Sequence, residues 1–127
     1  MQELSAEYNG LGIFALNTWF TEREFTTLKQ WLAYKRLDAS KLHQAEGSYL
    51  GVHESCYIVP AGYIGTLMPV LRAHEQSSYL IIDEYMQGTV IDCKDYHTID
   101  RGRMTLVTPS VQCRDYTKFA GQFYTLA

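Results

Sequence analysis

Short apolar runs alternate with amphipathic stretches along the first half of the chain, and this alternation predicts strands and helices in a definite order. The apolar run over residues 12–16 predicts a short buried strand. Thr21 and Glu24 have the spacing of a capping box, and the apolar stripe that follows them predicts an amphipathic helix. After a turn at residues 38–40, the glycine-punctuated stretch over residues 42–59 predicts two extended segments.

A second helix and several further strands are predicted in the rest of the chain. Thr66 suits the N-cap of this helix, and Pro69 is tolerated in its first turn. Gln87 and Gly88 predict a hairpin turn between two of the later strands. These later strands are predicted at residues 79–82, 89–91, 104–107 and, as an edge strand, 119–126.

The predicted order of elements is β-α-β-β-α-β followed by extra strands, within a single domain spanning residues 1–127. This order is typical of the α+β class and favours a ferredoxin-like fold, with an antiparallel sheet, two helices on one face and extra C-terminal strands. The other face of such a sheet would be bare. We therefore expect the chain to cover that face by forming oligomers with an aromatic interface.

Composition and charge exclude several classes of protein. Eleven basic and fourteen acidic residues give a net charge of −3, which argues against a nucleic-acid partner. The sequence has no apolar run long enough to span a bilayer and no signal peptide at its start, so we expect no membrane partner. Cys56, Cys93 and Cys113 lack the spacing of zinc ligands or of a disulfide framework, which favours a reducing cytoplasm.

The candidate chemistry is concentrated in residues 46–55. Two glycines there flank Tyr49, and Glu54 follows at the start of a predicted strand, so both polar groups are placed to face one ligand pocket. A surface hairpin with a solvated glutamate explains the same pattern. Motifs for phosphate loops, dinucleotides, hydrolase nucleophiles and metal sites are absent, and Cys56 lies in an apolar strand that suits a core residue.

Four local features, in this order, resemble the bacteriophage S-adenosylmethionine lyases, formerly called S-adenosylmethionine hydrolases. They are the apolar run 13–16, the triplet Gly47-Ser48-Tyr49, Glu54 before the strand 55–59, and Glu75-Gln76 before the strand 79–82. The resemblance extends from about residue 10 to residue 108. The link between the tyrosine and the glutamate is shorter than in that family, so Glu46 is the alternative to Glu54 as the essential acid.

This resemblance implies a PII-like homotrimer with active sites between subunits. It implies cleavage of S-adenosylmethionine into methylthioadenosine and L-homoserine lactone without metal or cofactor, depleting the methyl donor in the host cytoplasm as a counter to restriction. Tyr49 would orient the methionyl end and Glu54 would hold its α-ammonium group. Substrate-binding roles are implied for Gly47, Ser48, Glu75 and Gln76.

Two other functions fit the same sequence. A non-catalytic PII-like trimer would bind a nucleotide or metabolite in the same cleft, although Arg101-Gly102-Arg103 is the one dense basic cluster available for phosphates. A small interaction protein would use its ten tyrosines only for a protein surface and would bind no ligand.

Overall fold

The computed structural model describes residues 1–16, 21–49, 52–108 and 115–127, with the backbone alone described at Thr21, Glu22, Tyr49 and Val52. The strands of this part of the chain are β1 (Leu11–Ala15), β2 (His43–Tyr49), β3 (Val52–Pro60), β4 (Ser78–Ile82), β5 (Gln87–Asp92), β6 (Thr98–Val107), β7 (Tyr116–Phe119) and β8 (Gln122–Leu126). They form a closed barrel in the order β1-β3-β2-β7-β8-β6-β5-β4, and every neighbouring pair is antiparallel.

Three helices accompany the barrel in the described residues: α1 (Gln2–Glu7), α2 (Thr21–Tyr34) and α3 (Ile64–Ala73). Single 3-10 turns lie at Ala39–Lys41 and Ala61–Tyr63. The first of these turns confirms the predicted turn, because Asp38 caps it by accepting a hydrogen bond from the Ser40 amide at 3.0 Å.

The barrel wall separates two apolar layers, because successive residues of a strand point to opposite faces. On β1, Leu11, Ile13 and Ala15 face the interior, whereas Phe14 faces the helices. The interior layer also contains Cys56, Ile58, Ile82, Met86, Met104 and Tyr124. The outer layer packs α2 and α3 against β1 and β3 through Leu28, Leu32, Leu67, Leu71, Tyr57 and Val59.

Helix α1 lies against the end of the barrel at which β1 begins. Leu4 and Tyr8 pack on the interior layer, and the Tyr8 hydroxyl contacts His43 Nε2 at 2.9 Å. Ser5 is fully buried, and its hydroxyl donates to the Asp83 carbonyl at 2.6 Å. The helix therefore covers this end of the barrel, and β1 finishes at Ala15 near the opposite end.

The predicted ferredoxin-like, PII-like fold is wrong. The chain does run β-α-β-β-α-β with both long helices against the same strands. However, β5 to β8 continue the sheet until β7 pairs with β2, and the sheet closes on itself. The face that a ferredoxin-like sheet would leave bare is the inside of the barrel, where apolar side chains pack against one another.

Three local predictions also need correction. Residues 119–126 are not one edge strand but belong to β7 and β8, which meet at Ala120 and Gly121, both with positive φ. Gln87 and Gly88 lie inside β5, and the turn before them is organised by Asp83, whose carboxylate accepts the Tyr85 and Gln87 amides. Helix α3 begins before Thr66, with Tyr63 at its N-cap.

The closed barrel also removes the argument for oligomer formation, since the sheet has no bare face to cover. The homotrimer thus stays a prediction without structural support. Within the described ranges, no helix combines the length and the apolar character needed to cross a bilayer.

Candidate functional site

A cavity of about 240 Å³ occupies the barrel at the end where β1 finishes. We call it the barrel cavity. Residues of β1 to β8 and the segments before β4 and β7 line it, among them Ala15, Gly47, Ser48, Glu54, Cys56, Gln76, Ser78, Asp100, Met104, Asp115, Tyr116, Thr117 and Tyr124. An eight-stranded barrel has an interior just wide enough to be filled by side chains or to hold one small ligand.

Glu54 lies on the inner face of β3, because it alternates with the interior residues Cys56 and Ile58. Its side chain is half-buried, and this burial raises the pKa of its carboxyl above the ordinary value. No ion pair joins it to any described residue. Glu54 is therefore a poorly solvated acid without a counter-charge in the described part of the chain.

Among the described residues that line the barrel cavity, the charged side chains are all of one sign. Glu54, Asp100 and Asp115 line it, and no Lys, Arg or His side chain of the described residues does. Asp100 and Asp115 are exposed at the rim, whereas Glu54 lies deeper. Clefts lined by one sign of charge focus the electrostatic potential, so the described lining favours cations over phosphates.

The floor of the cavity beside Glu54 is formed by Gly47 and Cys56. A Cβ atom at Gly47 would lie 2.5 Å from the Cys56 sulfur, so only glycine leaves room for the thiol there. Burial, and then the Glu54 carboxylate, raise the pKa of the Cys56 thiol to about 12. The thiol is therefore protonated at neutral pH, and Cys56 is a packing group rather than a nucleophile.

The structure brings four of the six residues singled out from the sequence to one cavity: Gly47, Ser48, Glu54 and Gln76. Their functional roles stay predictions. Gln76 is half-buried, and its side-chain amide donates to the Ser78 carbonyl at 3.3 Å. Glu75 does not line the cavity; it is exposed, in a turn with positive φ after α3. The side chain of Tyr49 lies outside the described part of the structure.

The alternative acid, Glu46, lies on the outside of the barrel. It pairs in register with Ser55, one residue from Glu54, and therefore points to the opposite face of the sheet. Its exposed carboxylate lies 3.9 Å from Lys118 Nζ on the neighbouring strand β7. Of the two candidate acids, only Glu54 faces the cavity.

The other groups considered from the sequence are also placed. Tyr57 and Tyr79 belong to the layer beneath the helices, although Tyr79 also lines the cavity, and the Tyr63 hydroxyl donates to the Asp38 carbonyl. Arg101 and Arg103 are exposed and alternate with Gly102 on β6, so they lie on its outer face and supply no phosphate grip inside. Cys113 lies outside the described residues.

One cluster has the composition of a metal site. The ligand atoms of Asp92, Asp95 and His97 lie within 4.8 Å of one another in the turn between β5 and β6. Asp92 accepts the amides of Lys94 and Asp95, and Asp95 accepts both the amide and the ring nitrogen of His97. These bonds are those of a tight turn, which explains the cluster without an ion.

Sequence reasoning missed Asp100 and Asp115. The register of β6 places Asp100 and Gly102 opposite the interior residues Val90 and Gly88, while Ile99 is exposed. An acidic residue that faces inward beside an isoleucine that faces outward reverses the usual pattern locally, and this reversal is the signal of a lined cavity. Comparisons with models of protein families, with curated proteins and with solved structures found no match to this chain.

Proposed function

We propose that the barrel cavity binds a small organic cation, with Glu54 as the counter-charge to its cationic group. The observation that carries this proposal is the presence of three carboxylates and no basic side chain among the described lining residues. A cation placed beside Glu54 removes the cost of holding a carboxylate away from water. The same charges disfavour the nucleotide-binding alternative, since no Lys, Arg or His side chain among the described lining residues pairs with a phosphate.

The rest of the lining suits a ligand with an apolar or sulfur-containing part. Tyr116, Tyr124 and Met104 border the cavity alongside apolar residues of β1 and β4. Aromatic faces attract ammonium and sulfonium groups, and methionine sulfur packs well on polarisable atoms. The volume of about 240 Å³ is below the range of about 300–1,000 Å³ usual for whole drug-sized ligands, so the cavity takes the cationic head while the remainder stays outside.

S-adenosylmethionine is the specific cation that we propose, since it carries both a sulfonium and an ammonium group. In the lyase reaction its own carboxylate oxygen forms a bond to the γ-carbon. The bond between this carbon and sulfur breaks, and its electron pair stays on sulfur. The products are neutral methylthioadenosine and homoserine lactone with its ammonium group retained, so no proton, metal or oxidant is needed. The predicted PII-like fold was wrong and gives no support to this reaction. The proposal of this reaction rests on the cavity and on the motif resemblance.

Catalysis of this kind requires the protein to hold the substrate in a bent conformation. The chain has to hold the methionyl arm so that its carboxylate and γ-carbon are in contact, and to keep water away from both. Glu54 would fix the ammonium end by an ion pair and would stay ionised throughout. Orientation alone supplies up to about 7–11 kcal/mol of barrier reduction in the best intramolecular cases.

Incubation of the protein with S-adenosylmethionine, followed by mass spectrometry and calorimetry, tests both levels of the proposal. Methylthioadenosine with homoserine lactone supports the lyase, and binding without turnover supports a cation-binding protein that lacks it. If neither S-adenosylmethionine nor a trimethylammonium probe binds at millimolar concentration, the proposal that the cavity binds cations is contradicted.

Glu54→Gln locates the site, with Glu84→Gln as a control that removes the same charge from an exposed turn. A charge-assisted hydrogen bond contributes about 1.5–3 kcal/mol, so Glu54→Gln should weaken cation binding by roughly tenfold to a hundredfold. Tyr49→Phe tests the second residue implied by the resemblance. If Glu54→Gln binds as tightly as the unchanged protein, the barrel cavity is not the site.

A further inference from the structure

A second cavity, also of about 240 Å³, lies between α2 and α3 on the outside of the barrel. We call it the helix cavity. Its described lining residues are Leu16, Arg23, Glu24, Thr27, Leu28, Val70 and His74. It is separate from the barrel cavity, because its walls belong to the layer of helices that packs on the outer face of β1 and β3.

Glu24 is the unusual residue of this cavity. It projects from α2 and is only 7% exposed, which is rare for a glutamate unless it is paired. Burial, and then hydrogen bonding to the Glu24 carboxylate, raise the pKa of the Tyr57 hydroxyl. The Oε2 atom of Glu24 nevertheless has no hydrogen-bond partner among the described residues. A buried carboxylate oxygen left unpaired costs stability, so its retention at the wall of a cavity points to a donor supplied from outside.

The neighbouring groups restrict which donor fits. Arg23 is exposed at the edge of the cavity, and its side chain forms no ion pair with a described residue. The Thr27 hydroxyl is already used, since it donates to the Arg23 carbonyl at 2.8 Å. Leu16, Leu28 and Val70 give the remaining wall an apolar character. The cavity thus combines one buried negative group, one exposed positive group, the half-buried imidazole of His74 and an apolar surface.

We propose that the helix cavity binds a small zwitterion of the amino-acid class. The ammonium group of the ligand donates to Glu24 Oε2, its carboxylate lies at Arg23, and its apolar side chain packs against Leu28 and Val70. A simple amine would meet the uncompensated positive charge of Arg23, and an anion would meet Glu24. A metal ion would find too few oxygen ligands, since Ca²⁺ and Mg²⁺ require about six. A zwitterion alone satisfies both charges.

Calorimetry and two-dimensional NMR on the full chain test the proposal with free L-leucine, L-methionine and L-phenylalanine as probes. At least one of the three should bind and shift the backbone amides of Thr27, Val70 and His74 while leaving those of Asp100 and Gly102 unchanged. Two analogues separate the charges, since N-acetyl-L-phenylalanine lacks the cation and 2-phenylethylamine lacks the anion. Each analogue should bind at least tenfold more weakly than the best amino acid.

Glu24→Gln keeps the shape of the side chain and should weaken amino-acid binding at least tenfold, with Glu84→Gln as the control for loss of one exposed negative charge. Arg23→Gln changes an exposed residue and so keeps the test valid if Glu24→Gln fails to fold. It should weaken binding of the amino acid about threefold to tenfold without weakening that of 2-phenylethylamine. The proposal is overturned if none of the three amino acids, at millimolar concentration, shifts the NMR signals of the α2 and α3 amides. That result is expected if only water forms hydrogen bonds with Glu24. Equal binding of 2-phenylethylamine and L-phenylalanine, or unchanged binding by Glu24→Gln, overturns it as well.

Discussion

Substitution of Gly47 by alanine tests the register of β2 and β3 and the shape of the barrel cavity together. The added Cβ would lie 2.5 Å from Cys56 Sγ and 3.6 Å from the Tyr116 carbonyl oxygen. Non-bonded heavy atoms prefer separations of about 3.5–4.0 Å, so the methyl group overlaps the sulfur by roughly 1 Å. Overpacking of this size costs about 1–3 kcal/mol, offset by roughly 0.5–1 kcal/mol because alanine loses less entropy in a strand. We expect a net loss of about 0.5–2 kcal/mol.

Urea denaturation followed by circular dichroism measures this loss. With a urea dependence of about 1–3 kcal/mol per molar, the midpoint should fall by roughly 0.2–2 M. Gly65→Ala is the matched control, because a Cβ at this exposed position in α3 meets no atom within 4 Å. The same substitution there should stabilise the protein by about 0.4–1 kcal/mol.

A double-mutant cycle with Cys56→Ala identifies the cause. Removing the sulfur gives the new methyl group room, so the double variant should be more stable than the sum of the single effects allows, by about 1 kcal/mol. Strictly additive effects, or a Gly47→Ala variant as stable as the unchanged protein, would refute the inward packing of Gly47 against Cys56.

Three further predictions concern stability. Burial raises the pKa of the Glu54 carboxyl, so ionisation of this group opposes folding. The free energy of unfolding should therefore decline as pH rises through that pKa. Urea titrations from pH 4 to 7 should show a weaker decline of this free energy for Glu54→Gln. Leu71 is fully buried between α3 and the barrel, and Leu71→Ala should cost about 2–5 kcal/mol in thermal or urea unfolding, whereas a loss below about 1 kcal/mol would contradict that packing. Ser5→Ala should cost about 1 kcal/mol and speed hydrogen exchange in α1, because it removes the bond that ties α1 to the Asp83 carbonyl and leaves that carbonyl only the Met86 amide; unchanged exchange would show that α1 is not held by this bond.

The sequence predicted individual elements better than their assembly. The strand near residues 12–16, the helix from Thr21 and the two segments within residues 42–59 all appear close to their expected places as β1, α2, β2 and β3. Local periodicity, together with glycine and aspartate at turns, indicates these elements. The pairing of β7 with β2 has no such local signal, because it depends on residues about 70 positions apart whose match is visible only in three dimensions.

Only the part of the candidate site that lies within one local segment of the sequence was predictable. Glu54 and Gly47 stand near one another in the sequence and face each other across one hairpin, so a local motif could indicate both. Asp100 and Asp115 reach the same cavity only through barrel closure, and single exposed aspartates carry no pattern of their own. Glu24 was interpreted as a capping residue because its spacing from Thr21 fits that role. Its burial depends on Tyr57 of a distant strand, which the spacing does not report.

The seam between β2 and β7 has a consequence for how the chain folds. Glu46 to Ser48 meet Tyr116 to Lys118 there, and a loop of about 70 residues must be closed before these two strands contact each other. Barrels of such high contact order fold on the scale of milliseconds to seconds. Until the seam closes, β2 and β7 present unpaired edges that other copies of the chain can join. Slow closure therefore makes the yield of native protein depend on protein concentration during refolding, and the ion pair between Lys118 and Glu46 lies across this seam.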